Sequence, residues 1–597
     1  MRVTRISKIV GAAAIAALAL SACGGNTGGG SNNNATSGAS SSGGGQITVA
    51  EVNGFSSFNQ STATGNSDVN GKIWLATHSG FNYIDKDLKV VKNDKFGKYE
   101  KTSDSPLTIK YTINDGVKWS DGTPVTADDF VLAWAVYSGY YDDATTDDSG
   151  KVTKGSQYFS YAGTTSGLNK TTFPEVTEDR KSFTIKYDQP YADWEIAFNA
   201  PEVPAHVVAK KAGLTDAKAL SDLMKPLPKG NVDKPASPNA TLKKAADFYN
   251  KGFDSTTLPS DPSLYLSNGP FIVSAITNNE SVTLKKNPDY TWGNMPKVDT
   301  IVMRTIGDTQ AQIQALKNGE VDIAAPQSSA DTLEALQAIP DAQVQKGDQL
   351  AYDHVDINQY GSFKDPAIRE AFMKTIPRKA ILDAIITKQK PDAKILDSQI
   401  FVPAQEGYAK SAQENGSQNF QDVDIDGAKK LLAGKTPTVR IMYNKDNPNR
   451  VDAYTLIAKS ATEAGFKVVN NGAAANEWSS KLGDGTYDVT IFGWTNPGVG
   501  VSGVPQLFGS GQGSNFSKFS NKDADKLMTE LIQTTDTAKQ IELQQQIDKY
   551  IWDSKYGLPL FQSVGVEAFS SRVTGGVNYQ PNQYGVWWDV WDWAVKS

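Results

Sequence analysis

Cysteine and histidine are scarce in this 597-residue sequence, which contains 1 Cys and 3 His. A single cysteine excludes a disulfide framework and a thiolate-built zinc or iron–sulfur site, and three scattered histidines leave little for an imidazole-based metal site. We therefore expect no metal and no cofactor. Positive charge is not in excess either, because 59 Lys and Arg face 66 Asp and Glu, for a formal net charge of -7. This balance argues against the basic surface that binding to nucleic acid requires.

The motifs of hydrolytic enzymes are missing as well. The sequence contains no G-x-S-x-G, H-E-x-x-H or H-x-E…C-x-x-C pattern, so neither a serine nucleophile nor a zinc-bound water is indicated. We expect that the protein is not an enzyme. A secreted glycan-active enzyme stays open as a remote alternative, since a retaining glycosidase needs only two carboxylates and no such motif.

Long apolar runs are confined to the N-terminus. Basic residues at positions 2, 5 and 8 precede the run IVGAAAIAALAL, residues 9–20, which is typical of a secretory signal peptide and too short to span a bilayer comfortably. The run ends in Leu20-Ser21-Ala22-Cys23, which resembles the bacterial lipobox. We predict a lipoprotein signal peptide at residues 1–22 and a lipid on Cys23 that anchors the protein to the outer face of the bacterial cytoplasmic membrane.

The segment after the cysteine is rich in glycine, serine and asparagine. Residues 24–45 contain no charge and no large apolar side chain, so they cannot pack and are expected to form, with Cys23, a flexible tether over residues 23–45. A flexible chain of this length and composition has a root-mean-square end-to-end distance of about 26 Å. The remaining chain, with its hydrophobic and aromatic residues, has the composition of a packed globular body.

From residue 46 onward, short alternating segments and amphipathic segments are mixed along the chain. Residues 108–113, TIKYTI, alternate with period two and predict a strand, and two turns follow it. Thr126 then stands at an N-cap position before an apolar helix over residues 130–137, with two aspartates in its first turn. Such mixing predicts an α/β fold in which domains share the chain discontinuously.

One region has a specific resemblance. TINDGVKWSDGTPVTADDFVLAW, residues 112–134, resembles the signature region of the extracytoplasmic solute-binding proteins of ABC importers, in the family that serves oligopeptides, dipeptides and nickel, solute-binding family 5. Further motifs of that family follow in the expected order: PAHVV at 204–208, SNGPFIV at 267–273, VTLKKNPDYTWG at 282–293, ALKNGEVDIA at 315–324, DPAIREAF at 365–372, AKKLLAG at 428–434, YDVTIFGW at 487–494 and LPLFQ at 558–562.

The resemblance implies a two-lobed periplasmic-binding-protein-like clamshell with an accessory domain. Lobe I would comprise residues 46–82, 196–355 and 560–597, the accessory domain residues 83–195, and lobe II residues 356–559. The ligand would lie between the lobes, which close about a hinge. The implied partners are the transmembrane permease subunits of an ABC importer, and the protein is expected to be a monomer.

The resemblance favours an oligopeptide as ligand, with one departure from the family pattern. Peptide-binding members commonly have a carboxylate shortly after the Gly-Trp of the second lobe, which pairs with the peptide's amino group. Here the stretch reads Gly493-Trp494-Thr495-Asn496-Pro497, and no acid occurs before Asp523. Either another acid covers the amine, or longer peptides are held without fixing their terminus, or the ligand is neutral. The neutral alternative is an oligosaccharide.

Seven residues near the family motifs are predicted to line the cleft. The aromatic members would shape pockets and the two asparagines would form hydrogen bonds with the ligand; the seven are Phe55, Tyr83, Tyr352, Asn358, Trp494, Asn496 and Phe561. Four tryptophans near the C-terminus, at positions 587, 588, 591 and 593, are instead expected to pack at the end of a lobe. His354 is expected to be structural rather than a nickel ligand.

A glycine-rich pattern follows the strand of residues 487–493. Residues 498–503, GVGVSG, satisfy G-x-G-x-x-G, and Asp523 lies twenty positions beyond the last glycine, so the sequence imitates a dinucleotide-binding fingerprint. That fingerprint needs a helix directly behind the glycines, and residues 504–520 show no helical period. We therefore expect a loop beside the cleft and no nucleotide.

Overall fold

A ten-stranded mixed sheet runs through the molecule. The computed structural model describes residues 44–146, 152–474, 477–478, 481–482, 485–495 and 499–596. The predicted signal peptide, the lipidation site Cys23 and almost all of the predicted tether lie outside these residues.

The strands are numbered in chain order. They are β1 Gln46–Glu51, β2 Asn82–Ile84, β3 Val90–Lys92, β4 Gly97–Asp104, β5 Leu107–Ile113, β6 Thr145–Thr146, β7 Val152–Lys154, β8 Glu175–Val176, β9 Ser182–Lys186, β10 Phe271–Thr277, β11 Ser281–Lys286, β12 Thr300–Thr305, β13 Ile323–Ala324, β14 Gln343–Ile357, β15 Thr438–Tyr443, β16 Lys467–Asn470, β17 Val489–Thr495, β18 Gly557–Phe569, β19 Val573–Gly575 and β20 Ala594–Val595.

The helices of the described residues are numbered in the same way. They are α1 Asp68–Thr77, α2 Ala127–Ser138, α3 Ala205–Lys211, α4 Ala217–Met224, α5 Ala240–Lys251, α6 Thr309–Lys317, α7 Ala330–Gln337, α8 Pro366–Met373, α9 Arg378–Ile385, α10 Tyr408–Glu414, α11 Ile425–Leu432, α12 Pro448–Ala464, α13 Gly503–Phe508, α14 Lys522–Gln533 and α15 Thr537–Asp553. Within the described part of the chain, no helix combines the length and the apolarity that crossing a membrane would require.

The strands of the ten-stranded sheet lie in the order β10-β11-β12-β1-β13-β18-β14-β17-β15-β16. Two long strands, β18 and β14, join its two halves. At one end, β18 pairs with β13, and at the other end β14 pairs with β17. The two strands pair with each other along their length, but the register shifts between Asp348 and Tyr352. An irregularity at this point interrupts the ladder where the chain passes from one half of the sheet to the other, which is where bending costs the fewest hydrogen bonds.

A second sheet, β4-β5-β9-β8, packs against α2 in the region predicted as the accessory domain. The predicted strand lies within β5, and the predicted helix within α2, so both predictions are confirmed. Thr126 is the N-cap of α2, and its own N–H donates to Asp129 Oδ2 at 2.8 Å in a capping box. Phe130 and Trp134 are fully buried and anchor the helix in the core.

The apolar core of this region extends into a distant part of the chain. Val501, Phe508, Met528 and Ile547, from a segment predicted to belong to lobe II, pack in the same buried cluster as α2 and β5. Ala192 N–H donates to the carbonyl of Ile532 at 2.6 Å across this junction. The two segments are therefore held together by burial of apolar side chains and not by polar contacts alone.

Candidate ligand-binding cleft

A cleft of about 210 Å³ opens where α1, β2, the loop after β11 and the C-terminal segment meet. The side chains that line it are mainly of two kinds, aromatic rings and neutral amides. The rings are Trp74, His78, Tyr83, Tyr290, Tyr584, Trp588 and Trp591, and the amides are Asn82, Asn93, Asn199, Asn294 and Asn582.

The aromatic wall is built from two segments far apart in the sequence. Tyr83 on β2 meets Trp591 edge to face, with ring centroids 5.6 Å apart. Trp74 on α1 stacks on His78, with centroids 5.2 Å apart and an interplanar angle of 11°. Aromatic faces of this kind bind apolar groups and the flat faces of polar ligands alike.

The C-terminal tryptophans divide between the core and the cleft. Trp587 and Trp593 are fully buried, and their ring centroids lie 5.1 Å apart. These two rings pack in the core, as the sequence predicts. Trp588 and Trp591 line the cleft instead. Both belong to the 3-10 segment Gly585–Asp592, whose backbone is kinked between them at Asp589. The sequence prediction that all four only pack is thus wrong for this pair.

The amides of the cleft also hold its loops in place. Asn93 Nδ2 donates to the carbonyls of Gly80 and Trp292, both at 3.0 Å. Asn82 Nδ2 donates to the carbonyl of Glu195 at 2.9 Å. Asn582 Oδ1 accepts from Tyr584 N–H at 2.9 Å, whereas its buried Nδ2 has no hydrogen-bond partner among the described residues. Asn582 Nδ2 is therefore an exception among buried amide groups, which are nearly always paired.

Charge is absent from the described lining of the cleft. None of the described residues that line it is Asp, Glu, Lys or Arg. The one titratable imidazole is that of His78, whose pKa burial lowers to about 3. The lining is therefore electrically neutral at physiological pH, and it offers no described partner for a charged ligand group.

Strand β17 carries Trp494 near its C-terminal end. Trp494 pairs with Tyr352 of β14 and stacks on Phe516, with centroids 5.9 Å apart and an interplanar angle of 8°. Five positions after Trp494, Val499 lines the cleft. The glycine-rich pattern thus lies beside the cleft, but the expectation that no helix follows it is wrong, because α13 begins at its last glycine, Gly503.

The predicted site residues occupy different depths. Tyr83 lines the cleft, whereas Trp494 is half-buried on β17 and is not among the described residues that line it. Phe55 lies against Phe58 in a smaller cavity of about 20 Å³, and Tyr352, Asn358 and Phe561 are buried. Asn496 lies outside the described residues. A ligand-binding role for these residues stays a prediction.

His354 belongs to a buried hydrogen-bonded group beneath Trp494. Its Nδ1 lies 2.6 Å from Asp356 Oδ1, and Tyr556 OH donates to the other oxygen of Asp356 at 3.0 Å. Among the described residues, no group of three or more His, Cys, Asp or Glu is arranged to hold a metal ion. The contacts of His354 are those of a structural histidine.

Comparison with known proteins gives results that agree with this geometry. The model of the family "Bacterial extracellular solute-binding proteins, family 5 Middle" matches residues 74–516. The oligopeptide-binding protein OppA of Mycobacterium tuberculosis (strain ATCC 25618 / H37Rv) is 25% identical over 497 residues, which cover 81% of this chain and 74% of OppA. An uncharacterized lipoprotein of the same strain is 25% identical over 526 residues, covering 85% of this chain and 86% of the lipoprotein.

Among solved structures, the periplasmic EDTA-binding protein EppA has a similar fold. The TM-score is 0.76 at 20% identity, and the superposition covers 93% of this chain and 97% of EppA. This likeness confirms the predicted fold class, a two-lobed α/β clamshell.

Proposed function

This chain belongs to family 5 of the bacterial extracellular solute-binding proteins, the ligand-capturing components of ABC importers, and we propose that it captures oligopeptides. The neutral cleft lined by aromatic rings and asparagine amides is the observation that carries the proposal. Amides match the alternating N–H and C=O groups of an extended peptide, and aromatic rings accommodate its side chains.

Recognition of the peptide main chain discriminates little between peptides of different sequence. The hydrogen bonds go to groups that every peptide carries, and water fills the space that smaller side chains leave. Because the described lining has no carboxylate, a free amino terminus gains no charge-assisted bond there, which would contribute about 1.5–3 kcal/mol. The cleft therefore suits the interior of a longer peptide better than a charged terminus.

The delivery step follows from the family. The chain presents its ligand to the transmembrane permease subunits, and the partner complex hydrolyses ATP. The lipid on Cys23 and the tether of residues 23–45 would keep the monomer beside the permease at the outer face of the cytoplasmic membrane. The lipoprotein name of a relative that spans 85% of this chain supports this part of the proposal.

An oligosaccharide is the second candidate ligand. Tyr83, Trp588 and Trp591 supply rings on which sugar faces stack, and neutral amides form hydrogen bonds with hydroxyl groups as well as with peptides. The same neutral lining thus supports both ligand classes, and only the chemistry of the bound molecule separates them.

Native mass spectrometry of the gently purified full chain tests the proposal. Denaturation of the isolated complex and identification of the released molecules would give a set of peptide masses if the proposal holds. Masses spaced by hexose or pentose units would establish the second candidate. If nothing is released, a thermal-shift screen with synthetic hexapeptides and with oligosaccharides follows, and no stabilisation by the hexapeptides would refute peptide capture.

A further inference from the structure

The glycine-rich loop beside the cleft binds a carboxylate of the chain itself. Val501 N–H donates to both oxygens of Asp193, at 3.0 and 3.1 Å, and Ser502 N–H donates to Oδ2 at 2.8 Å. The Ser502 hydroxyl donates to the same oxygen. The Asp193 side chain is 5% exposed, and among the described residues it forms no ion pair, so backbone N–H groups and one hydroxyl balance its charge.

The backbone of the loop explains why it holds an anion. Gly500 has a φ of 83°, in the left-handed region, and this conformation turns the next two N–H groups toward one side, as in anion-binding nests. A Cβ at Gly500 would lie 2.8 Å from Ile196 Cδ1 and 2.9 Å from Asp193 Oδ2. Only glycine fits here, for steric reasons and for its φ. The G-x-G-x-x-G pattern is thus filled by an internal carboxylate and is not open to a phosphate.

This contact joins two segments that both contribute to the cleft wall. Asp193 and Val501 are 308 positions apart, and each has a near neighbour, Ile196 and Val499, that lines the cleft. Val501 is buried in the same core as Tyr191, on the other side of the contact. The hydrogen bonds therefore fix the position of the loop relative to the cleft.

We propose that Asp193 is a positioning residue for ligand binding, which seats residues 499–502 at the wall of the cleft. The hydrogen bonds from Val501 and Ser502 hold the loop beside Ile196, so that Val499 and Ile196 line the same cleft. The inference uses the proposed function only in treating this cleft as the ligand site.

Hydrogen exchange of the full chain in detergent, followed by mass spectrometry, tests the contact without any ligand. We expect Asp193→Asn to speed exchange at Val501 and Ser502 by at least about tenfold, because an amide cannot accept all of these bonds with the strength of a carboxylate. The double variant with Ser502→Ala should add little, since both changes remove one interaction.

Asp143→Asn is the matched control. Asp143 is 4% exposed, and its carboxylate likewise accepts backbone N–H groups, from Ser156 at 2.6 Å and from Ala236 at 2.7 Å. This variant should lower the melting temperature, as Asp193→Asn should, yet leave exchange at residues 501–502 unchanged. Unchanged exchange in Asp193→Asn, or an equal change in the control, would overturn the proposal.

A binding readout completes the test, with a pool of synthetic hexapeptides as the probe. If the wild-type chain binds the pool, Asp193→Asn should weaken binding more than about fivefold, and Asp143→Asn should not. Faster exchange with unaltered affinity would overturn the positioning role. If the wild-type chain ignores the pool, peptide capture fails, and the exchange measurement still decides whether Asp193 seats the loop.

Discussion

At the scale of single residues, the cleft is defined by rings that contact one another across the fold. Trp591 is half-buried and touches Tyr83, so its indole is held in place before any ligand arrives. A ring that is already ordered loses little conformational freedom on binding, which is why tryptophan so often dominates a binding surface.

We expect Trp591→Ala to weaken binding of the captured ligand by at least about 1 kcal/mol, because both stacking area and the support of Tyr83 are lost. Isothermal titration calorimetry with the ligand recovered by mass spectrometry measures the change. Tyr550→Ala serves as control, since Tyr550 is also half-buried but lies on α15. Equal affinities of Trp591→Ala and the wild-type chain would remove this ring from the site.

A second residue makes stability depend on pH. Glu567 on β18 is 4% exposed, and burial raises its pKa from 4.5 to about 8, although Lys72 nearby favours the charged form. The folded state therefore prefers the protonated acid. The associated stability is fully present below about pH 4.5 and is lost as the pH rises through 8.

Glu567→Gln cannot ionise, so we expect its free energy of unfolding, relative to that of the wild-type chain, to increase by at least about 1 kcal/mol between about pH 5 and pH 9. Thermal melts at several pH values measure this difference. Glu280→Gln, a change at an exposed glutamate, should show no such trend. A difference that is constant with pH would contradict the raised pKa.

At the scale of elements, two glycines of the glycine-rich loop differ in how much the fold depends on them. We expect Gly500→Ala to lower the free energy of unfolding by about 1–2 kcal/mol, from its left-handed φ and its contacts with Ile196 and Asp193. Gly503→Ala is the control, since an added Cβ there meets nothing within 4 Å and Gly503 begins α13. Denaturant unfolding compares the two, and equal losses would show that the loop conformation is not demanding.

Elements whose determinants are local were predictable from the sequence. β5 follows from its alternation and α2 from its cap and apolar run, because each signal lies within the element itself. The cleft was less predictable: Trp588 and Trp591 face it only because the 3-10 segment and β2 meet in the tertiary fold. Likewise, the occupant of the glycine-rich loop, Asp193, lies 308 positions away from Val501, and no local pattern indicates it.

At the scale of the whole molecule, the shared apolar core ties together parts that the family resemblance assigns to different domains. β5 from the predicted accessory domain and α14 from predicted lobe II pack in one buried cluster, whereas β10 packs in another. If either β5 or α14 unfolds, the apolar side chains of the other element become exposed to water. The two elements should therefore lose their structure cooperatively.

We therefore expect hydrogen-exchange protection of β5 and of α14 to disappear over the same temperature range when the full chain is heated. Peptides from both elements, followed by mass spectrometry, report the two transitions, and peptides from β10 provide the reference for a separate core cluster. Distinct midpoints for β5 and α14 would contradict this, and would mean that the junction at Ala192 and Ile532 separates before either part unfolds.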